Sequence, residues 1–275
     1  MEDQKRVLLV TQEMDPYLNL SSISNITSQL PKYLSDQGME IRILMPRFGN
    51  INERRYRLHE VVRLSGINIM IDEDDYPLII KVASLPGVRL QVYFLDNEDF
   101  FKRKSVFTDD SDTFFDDNTE RMIFFCKGVL ETVKKFGWPP DIIHCHGWMT
   151  SLIPLYLKST YKDDPVFAQT KSIYSVYENT FKGKPMNNIL DKEPVQIDDS
   201  NYELSFFEKG DNTGLNLGGS EFADALILGS EKVDKKIQTE ILSKNGKPML
   251  PFKDGDDKFD GYSEFYQNLL SIEAS

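Results

Sequence analysis

Apolar positions along the chain follow two periods. The stretch RVLLVT (6–11) is a short unbroken apolar run, the mark of a strand buried on both faces. Helical spacing comes next, at Ile23, Ile26, Leu30 and Leu34, with Ser21 or Ser22 as N-cap and Gly38 as the stop. Pro31 lies inside that pattern and predicts a bend or a break. EIRILMP (40–46) is a second strand, so the chain opens β-α-β, the start of a parallel sheet. The rhythm then changes. Three strand-like segments over 57–95 have no helix between them and predict an antiparallel insertion beside the main sheet. Residues 96–117 are polar, aromatic and acidic, a long loop of the kind that often carries function.

From Asn118 the alternation returns. A helix stops at Gly137, PDIIHCH is a strand, WMTSLIPLYLKSTY is a helix bent by Pro154, and KSIYSVY is a strand. Residues 183–218, rich in Gly, Asn and Asp, read as irregular. ADALILGS (223–230) is a strand, EKVDKKIQTEILSKNG a helix and KPMLPF a short strand. A last helix spans 258–271, with Tyr262, Phe265, Tyr266, Leu269 and Leu270 as a docking stripe. No linker divides the chain, so residues 1–275 are expected to form a single α/β domain.

Composition narrows the partners. The net charge is −12, and such a surface repels phosphate backbones, so neither nucleic acid nor an anionic membrane is expected as a partner. No apolar run is long enough to cross a membrane. The N-terminus lacks the pattern of an export signal, and two cysteines, Cys126 and Cys145, make no disulfide framework. Reduced thiols in a cytoplasm are the expectation.

The candidate chemistry centres on PPDIIHCHGWMTSLIPLYLK (139–158). In a strand, His144 and His146 share one face and Cys145 takes the other. The strand ends at Gly147, and in open α/β sheets ligands gather beyond such carboxyl ends. A lone H-x-H lacks the ligand count of a standard metal site, so no metal is expected. No G-x-S-x-G elbow is present, and no catalytic residue is assigned. The histidines either hold loops through hydrogen bonds or meet a ligand, and Trp148 either packs or offers a sugar platform. Both pairs of readings stay open on the residues alone. Asp110-Ser111-Asp112 matches the acidic D-x-D pattern, but a solvated loop explains it more simply. GLNLGGS lacks the G-x-G-x-x-G spacing, and no cofactor is expected.

Several of these segments together resemble the N-terminal catalytic domain of bacterial glycogen synthase and plant starch synthase. The resemblance runs over roughly residues 5–237. It is carried by TQEMDPYL, ITSQLPKYLSDQG, MPRFGNI, LDNEDFFKR, VYENTFKG, FADALILGSEKVDKKI and the long block ending in PDIIHCHGWMTSLIPLYLK. It implies the N-terminal half of a GT-B glycosyltransferase: a Rossmann-like, mostly parallel sheet with helices on both faces and an antiparallel insertion around 57–95. It also implies glucosyl transfer from ADP-glucose to an α-1,4-glucan in glycogen metabolism.

Departures from the family pattern shape the site. The family's phosphate loop is K-T-G-G, and this sequence has Asn19-Leu20-Ser21-Ser22 there. Loss of a charged hydrogen bond to a phosphate is worth about 1.5–3 kcal/mol. The family's H-D-W acid falls at Gly147, and the histidine and asparagine of its I-H-N fall at Tyr177 and Glu178. His146 and Trp148 match. Asn19 to Ser22 are therefore expected as a degenerate phosphate loop, and His146, Trp148, Tyr177 and Glu178 as candidates for glucan contact. The resemblance leaves catalysis by this chain open. It implies α-glucan or ADP-glucose as ligand and a protein partner supplying a second domain. Its alternative is a non-catalytic module that binds glucan or protein, and 258–271 resembles the family's helix that returns to the N-terminal half.

Overall fold

Strand β1 (Arg6–Thr11), the first apolar run, lies at the centre of a ten-stranded sheet. Val7, Leu8, Leu9 and Val10 have no exposed surface, as a strand covered on both faces requires. The structure, a computed structural model, describes residues 4–178, 181, 188–197, 202–243, 246–255 and 257–271. After β1 come α1 (Ser22–Asp36), β2 (Glu40–Pro46), α2 (Glu53–Tyr56), β3 (His59–Glu60), β4 (Ile67–Ile71), β5 (Asp74–Ser84) and β6 (Gln91–Asp96). Then follow α3 (Glu98–Phe101), α4 (Asn118–Phe136), β7 (Ile142–His146), a 3-10 turn (Trp148–Thr150), α5 (Leu152–Lys158) and β8 (Lys171–Val176). The chain continues through α6 (Ile189–Lys192), α7 (Ser205–Glu208), α8 (Asn212–Phe222), β9 (Ala225–Leu228), α9 (Lys235–Ser243), β10 (Met249–Leu250) and α10 (Asp260–Ser271).

The strand order is β10-β9-β8-β7-β1-β2-β6-β5-β3, with β4 paired to β5. Every pairing from β10 to β6 is parallel. Strand β5 runs antiparallel to β6, β4 and β3, and this is the antiparallel insertion. Strand β6 falls within the same predicted stretch, yet it pairs parallel to β2 and extends the main sheet. Sequence order reverses between β1 and β7, which opens a crevice at their carboxyl ends.

Helices cover both faces. Side chains of β7 alternate: burial, and then the neighbouring Cys126 of α4, pushes the Cys145 thiol well up on one face, while on the other the His144 ring meets Tyr266 of α10. Helix α1 sits on the α10 side, where Tyr33 touches Phe259 just ahead of α10. The docking stripe is used as such, with Tyr262, Tyr266 and Leu269 buried.

Three local expectations change. Pro31 does not divide α1, which is one continuous helix, and is itself buried. The helix expected over WMTSLIPLYLK is a 3-10 turn followed by α5, and Pro154 falls in the first turn of α5, where no intrahelical N–H bond is lost. The glycine-rich end of 183–218 is the buried helix α8, although 183–187 and 198–201 lie outside the described residues. Its glycines are packing devices. A Cβ on Gly218 would overlap the Phe207 ring and one on Gly219 the Tyr174 ring, so tertiary closeness outweighs poor helix propensity.

Candidate functional site: a cleft at the carboxyl edge of the sheet

The segment leaving β1 turns its polar side chains inward. Ser21 caps α1, its hydroxyl accepting from the Ile23 N–H. Glu13 has no exposed surface. Its carboxylate accepts from the Leu20 N–H at 2.8 Å, the Ser21 N–H at 2.7 Å and the Ser21 hydroxyl at 2.8 Å. The main chain of Glu13 is fixed as well: its carbonyl accepts from the Thr11 and Thr27 hydroxyls at 2.7 and 2.9 Å. Gln12 fills the space above Gly147, which has φ +87, and a Cβ at Gly147 would overlap the Gln12 side chain. The Gln12 side-chain carbonyl accepts the Met149 N–H at 3.3 Å.

At the end of β7 the two histidines are wholly buried, with ring centroids 3.8 Å apart. His144 pairs through Nδ1 with the Tyr266 hydroxyl at 2.6 Å and through Nε2 with the Ser175 hydroxyl at 2.7 Å. His146 pairs through Nδ1 with the Tyr177 hydroxyl at 2.6 Å, and its Nε2 is buried without a hydrogen-bond partner. Burial holds both rings neutral: desolvation, then the neighbouring ring, pushes His144 well below the ordinary histidine value, and desolvation pushes His146 down to about 3. Tyr177 is seated by β9. A Cβ on Gly229 would overlap its ring, and the Glu178 N–H donates to the Ser230 hydroxyl at 2.7 Å.

The segment between α3 and α4 forms the opposite wall. Arg121, fully buried in α4, pins it by donating to the carbonyls of Phe100 (2.8 Å) and Val106 (2.7 Å) and to the Asn118 side chain (2.6 Å). Asn118 donates in turn to the Phe107 carbonyl. Phe107 lies 4.8 Å from Trp148, Trp148 lies 5.1 Å from Phe181, and Phe181 lies 5.0 Å from Phe114, centroid to centroid. Asp109 accepts the N–H groups of Ser111 and Thr113, which shapes the acidic tip.

These parts enclose a cleft of about 1090 Å³. Of the residues expected from sequence, Leu20, Ser21, Ser22, Trp148, Tyr177 and Glu178 line it. Asn19 and His146 stand apart from the lining. Asn19 is an exposed turn residue whose side chain accepts from the Ser24 hydroxyl, and His146 lies behind Tyr177. Trp148 is only 2% exposed, so its ring is wedged among other aromatics. Asp112 of the D-x-D motif also lines the cleft, and no group of His, Cys, Asp and Glu able to hold a metal is found among the described residues. Sequence reasoning did not single out Gln12, Glu13, Lys104, Phe107, Phe114 or Phe181. The length of the 96–117 loop was the signal for Lys104, Phe107 and Phe114, and the segments TQEMDPYL and VYENTFKG, which hold Gln12, Glu13 and Phe181, were the signal for the rest.

Taken together, a mostly parallel sheet with helices on both faces and an aromatic-walled cleft at its switch point defines a Rossmann-like α/β domain. The family model for the starch synthase catalytic domain matches residues 6–250, and the chain belongs to that family. Glycogen synthase of Chlorobium limicola is 38% identical over 230 residues, covering 82% of this chain and 45% of that protein. Glycogen synthase of Chlorobium luteolum is 37% identical over 241 residues, covering 86% of this chain and 48% of that protein. The chain thus spans about half the length of these curated relatives. The catalytic domain of starch synthase IV from Arabidopsis thaliana, solved with ADP and acarbose bound, shares the fold with a TM-score of 0.73 at 18% identity. That match covers 94% of this chain and 53% of the other.

Proposed function

We propose that this chain serves glycogen or starch metabolism by holding an α-glucan in the cleft, and that alone it transfers glucose from ADP-glucose weakly or not at all. The observation that carries the reading is the lining of the cleft. Aromatic rings of Phe107, Phe114, Trp148, Tyr177 and Phe181 stand beside the hydroxyl of Ser22 and the carboxylates of Glu178 and Asp112. Rings that stack on sugar faces, with carboxylates for hydroxyl groups, suit a neutral carbohydrate. The exposed Glu178 meets the glucan directly in this reading, Trp148 and Tyr177 back the wall behind it, and His146 supports it through Tyr177. The cognate relatives are glycogen synthases, which supports the same ligand class.

Weak transfer follows from charge. Among the described residues Lys104 is the single cation on the cleft, and stabilising a leaving diphosphate needs donors and cations converging from more than one wall. A partner protein supplying that second wall, in a cytoplasmic setting, belongs to the same proposal. Calorimetric titration of the purified chain with maltoheptaose and with ADP-glucose tests it. Maltoheptaose is expected to bind. ADP-glucose binding tighter than about 100 μM, roughly −5.5 kcal/mol, would contradict the weak-donor reading.

A further inference from the structure

An open sheet of this order admits ligands through the crevice between the ends of β1 and β7. Here Gln12 fills it. The residue follows β1 directly, and its side chain lies over Gly147, which follows β7. A Cβ at Gly147 would stand 2.4 Å from Gln12 Oε1, 2.5 Å from its Cδ and 2.8 Å from its Cγ, all closer than van der Waals contact. Two bonds hold this plug: the Gln12 N–H donates to the His146 carbonyl at 3.4 Å, and Oε1 accepts the Met149 N–H at 3.3 Å. The floor beside it is shut as well. Gln12, Trp148 and Tyr177 are 1%, 2% and 4% exposed. Trp148 is wedged between the Phe107 and Phe181 rings, and Tyr177 is bonded to His146 and backed by Gly229. A sugar could sink between them only by breaking close packing. The exposed part of the lining is the rim: Leu20 and Ser22 at the head of α1, Lys104 and Asp112 on the opposite wall, and Glu178 beyond β8. The cleft of about 1090 Å³ is large for a ligand pocket, and its room lies along the rim, above a closed floor.

We propose that the cleft holds its ligand by the side: an inner stretch of glucan lies along the rim, and Gln12 is the specificity-determining residue that keeps a chain end out of the crevice. The nature of the chain rests on the α-glucan reading above, whereas the manner of binding rests on the closed floor. Contacts spread over three separate stretches of the rim suit a ligand several sugars long, and none of them recognises a terminus. Gln12 acts without touching the ligand. Its amide occupies the space that a terminal sugar would need.

The test compares maltoheptaose with maltoheptaose blocked at both ends, by an ethylidene acetal at the non-reducing end and as a methyl glycoside at the other. Each is titrated calorimetrically into the full chain as wild type, Gln12→Ser and Gln12→Asn. Wild type is expected to bind the free and the blocked chain within about threefold of each other. Gln12→Ser opens the crevice and is expected to favour the free chain by about tenfold. Gln12→Asn shortens the plug and carries the same comparison if the serine variant does not fold; if neither folds, the wild-type ratio alone decides. A wild-type preference for the free chain of about tenfold or more would overturn side-on binding and leave the α-glucan reading standing. An unchanged ratio in a folded variant would overturn the role of Gln12, because a purely structural part would weaken both chains together. Binding of neither chain to wild type would sink the α-glucan reading and this inference with it.

Discussion

His144 and His146 are a pair of neutral donors and acceptors built into the sheet, and pH exposes them. Each ring titrates far below the ordinary value of 6.5, His146 at about 3. Unfolded, each would bind a proton near 6.5, so between those values the unfolded chain holds more protons than the folded one. Stability contributed by the pair is therefore complete above about pH 6.5 and is lost as pH falls toward 3, by up to about 1.4 kcal/mol per pH unit for each ring. Urea unfolding at a series of pH values should show this slope, and His146→Gln should flatten it. A slope unchanged by the substitution would mean that the ring is already charged when folded. Trp148 and Glu178 separate packing from contact. Trp148→Ala should lower stability by about 3–5 kcal/mol, because a ring 2% exposed leaves a cavity behind. Glu178→Ala, at an exposed position, should leave the melting temperature alone and weaken maltoheptaose binding about tenfold.

At the scale of elements, helix α10 is tied to β7 by a polar bond set in an apolar seam. Tyr266 has no exposed surface and pairs with His144, while Tyr262 and Leu269 pack alongside. Tyr266→Phe keeps the ring and removes the hydroxyl, leaving the His144 nitrogen unpaired. We expect a loss of about 1–3 kcal/mol and faster amide exchange confined to α10, read by hydrogen–deuterium exchange; uniform acceleration across the sheet would instead make the bond part of the global core. Elements of this kind were largely legible in the sequence. An unbroken apolar run marked β1, the short apolar run leading into His144 marked β7, and the aromatic stripe marked α10. Helix α8 was not legible, because its glycines are chosen by Phe207 and Tyr174, which approach from other parts of the chain. The site divides the same way. Its strand-end position followed from periodicity, and its loop residues followed from the family resemblance. The clamp of Glu13 on Leu20 and Ser21 spans a turn whose path no spacing rule gives.

For the whole molecule, the parallel sheet brings the ends of β1, β7 and β8 to one edge, and α4 holds the aromatic segment across from them through Arg121. The net charge of −12 disfavours anions at long range, an obstacle that a neutral carbohydrate does not meet. The most direct measurement is hydrogen–deuterium exchange of the intact chain with and without maltoheptaose. Slower exchange is predicted in two separated stretches at once, residues 104–114 and residues 177–178, since both line the same cleft. Protection elsewhere, or none at a saturating concentration, would contradict the assignment of this cleft to α-glucan.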